Sequence, residues 1–441
     1  MNHNNSINDF DIIAFIQKKK NCQVLSEVEI DQFINRICAK KIPDYQITAW
    51  LMAVAINGMN EDETYYLTKA ILNSGHIYQL PVSDKIVVDK HSTGGIGDKV
   101  SLILLPILVA CGLNVAKLSG RGLGYTGGTI DKLNSLGVQT NLNITTAFEK
   151  LKETGIFIIE QTKEIAPADK ILYSLRDVTA TVDCIPLIVA SIMAKKLALK
   201  TDYLFLDVKY GSGSFCLTKQ SAEILAAELN KVAKRFQVDL VLHISSMQQP
   251  LGHTVGNLIE LTEAYHFLKN QPVANDLATL IETLAINILL KTQLFDNEAV
   301  AKQKYQQVLS DQTAFNVACN WFEKFNGDLN LWKNNQFFQP KYHVEIRANT
   351  SGYFDLLDNQ KIGYIINHIG AGRQTKDDQI DYHAGLYFHK KINDPIKAND
   401  CLITIYSSNP IDQNWIKKLN EQIVIRNQPI ILAPLLELWT K

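Results

Sequence analysis

Two stretches of this chain combine residue types that could do chemistry. One is Ile86-Val87-Val88-Asp89-Lys90-His91-Ser92-Thr93-Gly94-Gly95-Ile96-Gly97-Asp98; the other is Lys117-Leu118-Ser119-Gly120-Arg121-Gly122-Leu123-Gly124-Tyr125-Thr126-Gly127-Gly128-Thr129. Each mixes glycines with Lys, Ser and Thr, follows a short apolar run that reads as a strand, and precedes a segment that reads as a helix. Glycines let several backbone N–H groups turn toward one point, a helix N-terminus adds partial positive charge, and lysine adds a full one, which together make an oxyanion site, most often for phosphate. The plainer reading is a pair of tight strand-to-helix turns, a use glycine also serves. Two such loops that both carry Lys, Ser and Thr favour the anion. His91, between Lys90 and Ser92 in a polar loop, has the side chain best suited to proton transfer near neutrality. Lys117 and Lys132 read either as anion ligands or as ordinary solvated lysines.

Other chemistries lack their residues. Gly122 to Gly127 matches G-x-G-x-x-G, but a dinucleotide site needs an acidic residue about 20 positions on at a strand end, and Asn141, Leu142 and Asn143 stand there. Neither loop fits the P-loop pattern, no serine sits in a G-x-S-x-G elbow, and no His or Cys spacing suits a metal.

The elements that must position these loops follow from periodicity. Residues 9–79 read as four short helices, the first opening at Asp9. The second opens on a Ser26/Glu29 capping box, the third starts at Pro43 and stops at Gly58, and the fourth opens on Asn60 with Glu63. Their wide apolar faces need a partner. From Ile86 strands and helices alternate, which predicts a largely parallel sheet with helical layers. Residues 166–200 return to helix, where Ser191 and Lys195, four apart, share a face. Strands recur at Tyr203–Val208 and Val238–Ile244, with a third glycine cluster, Gly211–Phe215, between them. Residues 255–335 read mainly as helix, and after a linker near 333–336 the rest reads as a smaller α+β part.

Composition narrows the class. The 441 residues suggest two or three domains, and 46% apolar with 20% charged content supplies a sizeable core. A net charge of −1 carries no footprint for nucleic acid. Seven scattered cysteines without a C-x-x-C pair suit a reducing compartment. No uncharged apolar run reaches membrane-spanning length and no signal peptide follows the polar Met1–Ser6, so a soluble cytoplasmic protein is expected.

Lys90–Ser101, Ser119–Leu133, Ala166–Lys170, Arg176-Asp177 and Ser191–Lys196 closely resemble the pyrimidine-nucleoside and thymidine phosphorylases, with Ile42–Gln46 and Gly370–Arg373 extending the likeness over essentially the whole chain. The resemblance implies a small helical domain (1–79 and 166–200), a large α/β domain with a mixed, mostly parallel sheet (80–165 and 201–335) and a C-terminal α+β subdomain (336–441). It implies phosphate on the α/β part, the nucleoside on the helical part, cleft closure, and a homodimer through the helical domains. Lys90, Ser92, Ser101, Ser119 and Thr129 would bind phosphate with Lys117 nearby. Arg176, Ser191 and Lys195 would hold the pyrimidine O2, N3 and O4 edge, His91 would sit beside O2, and Tyr173 and Phe215 would line the base pocket. The reactants would be inorganic phosphate and a pyrimidine nucleoside, with no organic cofactor.

Three residues depart from the family pattern. Tyr125 stands where a histidine is usual. Lys117 resembles broad-specificity members, where thymidine-specific ones carry Met. Lys99 replaces the threonine of potassium-binding members, whose other cation positions correspond to Gly97, Ser101, Leu251, Thr254 and Glu263; either its ammonium substitutes for the ion or only its carbonyl ligates. The rival readings are an anthranilate-type phosphoribosyltransferase, which would need Mg²⁺ held by acidic residues, and a catalytically inactive nucleoside-binding relative.

Overall fold

The computed structural model describes residues 10–122, 127–373 and 378–440. The chain forms two compact units. One comprises residues up to Pro81, Gln161–Asp202 and Ile224–Leu240; the other comprises Val82–Glu160, Tyr203–Glu223 and Val241 onward.

The first unit is helical. Helices Ile12–Lys20, Glu27–Cys38, Asp44–Asn57 and Glu61–Asn73 are joined by Pro167–Arg176 and Ile185–Leu197. The caps follow the local chemistry. Ser26 with Glu29 and Asn60 with Glu63 both close reciprocal capping boxes, and Gly58 ends the third helix at φ +68°. The first helix is capped by Asp11, whose carboxylate accepts from the Ile13 and Ala14 amides, and Asp9 lies outside the described residues. Phe15, Phe33 and Trp50 stack in the centre, with ring centroids 4.6–6.0 Å apart. At the end of the fourth helix, a Cβ on Gly75 would stand 2.3 Å from the Glu164 carbonyl oxygen, so only glycine lets the 161–202 segment approach this closely. Lys19 is buried against Glu63, whose carboxylate also accepts from the Leu25 amide.

The second unit is built on a six-stranded sheet. Its strands β1 (Val87–Ser92), β2 (Asn114–Ser119), β3 (Ile156–Glu160), β4 (Tyr203–Tyr210) and β5 (Leu240–Ser246) are joined at one edge by Leu436–Trp439. The order is Leu436–Trp439, β5, β4, β1, β2, β3. β1 pairs in parallel with both β2 and β4, and Leu436–Trp439 runs antiparallel to β5. Most residues of β1, β2 and β4 are buried, as suits strands covered on both faces. The chain moves outward from β1 through β2 to β3 and then returns to place β4 on β1's other side. That reversal between β1 and β4 is where open α/β sheets bind ligands, at the carboxyl ends of the strands.

The C-terminal part is α+β, with a three-stranded and a four-stranded sheet. Thr254–Gly256, from mid-chain, is the edge strand of the latter, and Ile96 of the first glycine loop packs into the apolar core of Phe354, Ile366, Leu386 and Ile403.

Sequence periodicity located many elements, and three departures bear on the architecture. The helix Lys219–Arg235 is absent from the sequence reading, although Thr218 caps it by accepting from the Ser221 amide, and the part from Ile224 on groups with the helical unit rather than with the α/β part. The strand near 238–244 lies two residues later, at Leu240–Ser246. Leu436–Trp439 is only four residues long and becomes a strand through pairing with β5.

The Lys19–Glu63 pair sets a stability prediction. Replacing Lys19 by Met leaves a buried carboxylate uncompensated and should cost ~3–5 kcal/mol, whereas Lys18→Met, which removes the part-exposed pair with Glu29, should cost about 0–1 kcal/mol. Denaturant midpoints of the two variants check the difference.

Candidate active site

All three glycine clusters leave the carboxyl ends of the parallel strands β1, β2 and β4, which are neighbours in the sheet. In the first loop Ser92 Oγ donates to Asp98 (2.5 Å) and accepts from the Gly94 amide (3.1 Å). Gly94 takes φ +86°, and nothing lies within 4 Å of where its Cβ would stand, so backbone conformation rather than crowding calls for glycine. Gly95 is the opposite case: its Cβ would meet Met247 at 2.4 Å and the Gly213 carbonyl at 3.0 Å, which lets the first and third clusters pack together.

Beneath the loops lies a buried charge network. Asp207 pairs with Lys209 (2.8 Å) and Lys90 (3.7 Å) and accepts from Ser245 (2.5 Å), while Lys209 also donates to Ser245 (3.0 Å). Lys132 pairs with Glu260 at 2.6 Å and donates to the Asp98 carbonyl at 3.1 Å, tying the helix after the second loop to the first loop. Burial alone would raise Asp98, yet Lys209, Lys90 and the Ser92 hydroxyl hold its carboxyl far below the usual range. Asp207 is held below its ordinary value against the same burial by Lys209 and Lys90. Burial lowers Lys90 despite Asp207 and Asp98, and its ammonium, 1% exposed, has no hydrogen-bond partner among the described residues. His243, buried and paired with Asn287, is pushed down to about 4 by burial, with Asp207 opposing and Lys90 adding to the shift.

The remaining candidates are placed as follows. His91 is partly buried at the end of β1, opposite Leu206 of β4. Ser101 is buried in the first turn of the helix Val100–Ala110. Lys117 is buried and donates to the Lys90 carbonyl (2.6 Å), a strand-to-strand tie. Ser119 ends β2, and Thr129 begins the helix Thr129–Ser135. Leu123–Thr126, including Tyr125, lie outside the described residues. The arms of that loop meet: a Cβ on Gly128 would stand 2.1 Å from the Gly122 nitrogen. Asp131 accepts from Gly122 N (2.7 Å) and from Arg373 (2.9 Å), so the late Gly370–Arg373 segment clamps the second loop. Phe215, 44% exposed, is the last residue of the third cluster.

The cation positions do not fit a potassium ion. Lys99 Nζ itself donates to the Leu251 carbonyl (2.6 Å) and the Thr254 carbonyl (3.0 Å) and pairs with Glu263 (3.1 Å). The Lys99 carbonyl accepts from Leu102 N within the helix.

In the helical unit Tyr173, Arg176, Ser191 and Lys195 come together. Lys195 Nζ donates to Ser191 Oγ (3.0 Å) and to Asp169 (2.7 Å), a carboxylate that sequence reading did not single out. The Lys195 ammonium and the Arg176 guanidinium lie 5.6 and 5.8 Å from the Tyr173 ring. Arg176 is 2% exposed, and its three nitrogens donate to the carbonyls of Thr181, Val182 and Leu187. Each terminal nitrogen keeps a second N–H. Sequence reading also missed Asp207, Lys209 and Ser245; Asp207 and Lys209 alternate along β4 and could have been noticed as charges inside an apolar strand.

A chain with glycine clusters at a sheet reversal, buried cations and a helical unit is matched, part by part, by models of one class of transferase. Residues 13–75 match "Glycosyl transferase family, helical bundle domain", 84–315 match "Glycosyl transferase family, a/b domain", and 353–426 match "Pyrimidine nucleoside phosphorylase C-terminal domain". Within that class the chain belongs to the thymidine and pyrimidine-nucleoside phosphorylase family. It is 47% identical over 94% of its length to a thymidine phosphorylase of Mycoplasmoides pirum, covering 99% of that protein. It is 38% identical over 95% of its length to a pyrimidine-nucleoside phosphorylase of Staphylococcus haemolyticus, covering 96% of it. The anthranilate phosphoribosyltransferase structure from Thermus thermophilus shares the fold, with a TM-score of 0.57 at 15% identity, covering 70% of this chain and 98% of that one. No helix among the described residues is long and apolar enough to cross a membrane.

His243 generates a pH prediction. Its folded pKa lies below its unfolded value, so its contribution is fully present above pH 6.5 and is lost as pH falls toward 4. The loss should approach about 3 kcal/mol, and His243→Gln should flatten stability across that window. Denaturation midpoints at pH 7, 6 and 5 check it.

Proposed function

We propose that the chain catalyses the reversible phosphorolysis of pyrimidine nucleosides (uridine, deoxyuridine and thymidine) to free base and (deoxy)ribose 1-phosphate. The observation that carries this reading is the buried Lys90 ammonium, without a hydrogen-bond partner among the described residues, at the carboxyl end of β1 beside two glycine loops. A buried cation left unsatisfied is costly, and an oxyanion supplies the missing acceptors. In this reading Lys90, Ser92, Ser101, Ser119 and Thr129 bind phosphate. Lys117 acts by fixing the Lys90 backbone.

Phosphate is itself the nucleophile. Its oxygen bonds to C1′ as the C1′–N1 bond breaks through an oxocarbenium-like transition state, and the bond pair leaves with the pyrimidine. The departing base carries negative charge, which cationic donors stabilise. We assign Lys195, Ser191 and the remaining N–H groups of Arg176 as those donors, Tyr173 and Phe215 as base-pocket residues, and His91 as the group that exchanges the leaving-group proton. Asp169 holds the Lys195 ammonium in place. No protein nucleophile is needed. The expected form is a cytoplasmic homodimer associating through the helical unit. The named relatives, a thymidine phosphorylase and a pyrimidine-nucleoside phosphorylase, support the reaction class, and the ratio of uridine to thymidine rates decides the specificity.

The test is release of uracil from uridine and thymine from thymidine, with and without phosphate and with no divalent metal. Phosphate-dependent release is expected; none from either nucleoside overturns the reading, and a requirement for Mg²⁺ and a diphosphate donor would favour the phosphoribosyltransferase alternative. His91→Ala should lower kcat by about 10²–10⁴-fold. Asp169→Asn should raise KM for nucleoside while leaving KM for phosphate little changed, which steady-state kinetics in both substrates will show.

A further inference from the structure

The segment Pro250–Thr254 is held by two lysines through different carbonyls. Lys99, 0% exposed, donates to the carbonyls of Leu251 and Thr254, and its third partner is the Glu263 carboxylate. Lys391 donates to the carbonyls of Pro250 (2.5 Å) and Gly252 (2.7 Å) and pairs with Asp276 (2.8 Å). An ammonium has three N–H donors, so each lysine is fully matched by three oxygens.

Two carbonyls and a carboxylate around one point are a donor set suited to a hard cation. Here that point belongs to Lys99 Nζ. The surroundings are packed to it. A Cβ on Gly97 would stand 2.7 Å from the Leu251 oxygen and 3.1 Å from the Thr254 oxygen, and one on Gly252 would lie 2.6–2.8 Å from the Glu263 carboxylate. Both glycines have positive φ, +77° and +74°. Glu263 is otherwise satisfied by the amides of His253 and Thr254 and the Thr254 hydroxyl. A second cation would have to share these oxygens with a covalently tethered charge of the same sign.

We propose that the Lys99 ammonium is a built-in monovalent cation, joining the first glycine loop to Pro250–Thr254 so that this chain needs no dissociable potassium. The loop is placed to profit: the Leu251 amide donates to the Ile96 carbonyl (3.1 Å), and Asp98, the partner of Ser92, is the residue before Lys99. Removing the ammonium while leaving a small oxygen-bearing side chain should open the same donors to an ion.

The experiment compares wild-type protein and Lys99→Thr in potassium, sodium and choline chloride at equal ionic strength, reading Tm and phosphorolysis rate. For wild type, both readouts should be independent of the cation. Lys99→Thr should lose about tenfold or more of the rate in choline and regain it, with a rise in Tm, as potassium is added. Lys99→Met, offering neither charge nor oxygen, should be impaired without rescue. Strong potassium activation or stabilisation of wild type over choline overturns the proposal, as does full activity of Lys99→Thr in choline. If the variant does not fold, the wild-type titration still decides. The rate arm rests on the phosphorolysis reading; wild-type inactivity in every salt would count against that reading, while the Tm arm continues to test Lys99.

Discussion

The constraint on which the α/β unit depends is the compensation of buried positive charge. Lys90, Lys99, Lys132 and Lys209 are each at most 1% exposed, and each faces a carboxylate: Asp207, Glu263, Glu260 and Asp207 in turn. An isolated buried ammonium is too costly to persist, so the carboxylates have to be brought to the same places. Doing so fixes the loops. Lys132 joins the helix after the second loop to Asp98 in the first, and Lys99 joins the first loop to Pro250–Thr254. The pairs differ in how completely they are satisfied. Lys99 has three oxygens, whereas Lys90 lies 3.7 Å from Asp207 and has no hydrogen-bond partner among the described residues. In the proposed reading, that inequality separates a cation that builds the site from one that serves it.

Glycine follows from the same packing. Gly95, Gly97, Gly128 and Gly252 stand where a Cβ would strike a carbonyl, an amide, a carboxylate or Met247, while Gly94 is demanded by its φ alone. A loop motif that looks uniform in one dimension therefore contains crowded positions and a conformational one.

The helical unit solves a parallel problem with fewer charges. Arg176 donates to three carbonyls between Thr181 and Leu187, so it shapes its own surroundings before it offers anything to a ligand. Lys195 is oriented by Asp169 and Ser191 together, and Tyr173 has two cations near its ring. The thermodynamic cost of holding such groups in one arrangement is borne by the folded scaffold, as preorganised donors require.

The sequence by itself determined many of the local elements and the family to which the chain belongs. Capping boxes at Ser26 and Asn60, the stop at Gly58, and the two glycine loops were legible because each depends on residues a few positions apart. The reaction class was legible through long motifs such as Lys90–Asp98. Tertiary structure alone decided what those residues touch. Nothing local marks Asp169 as the partner of Lys195, Asp207 as the partner of Lys90, or Arg373 as a clamp on Asp131, because those partners lie 26, 117 and 242 positions apart and meet only when the chain closes on itself. The same holds for Leu436–Trp439, a strand only because β5 offers an edge, and for Lys99, whose ammonium lies among the oxygens of Leu251, Thr254 and Glu263, residues more than 150 positions away in sequence.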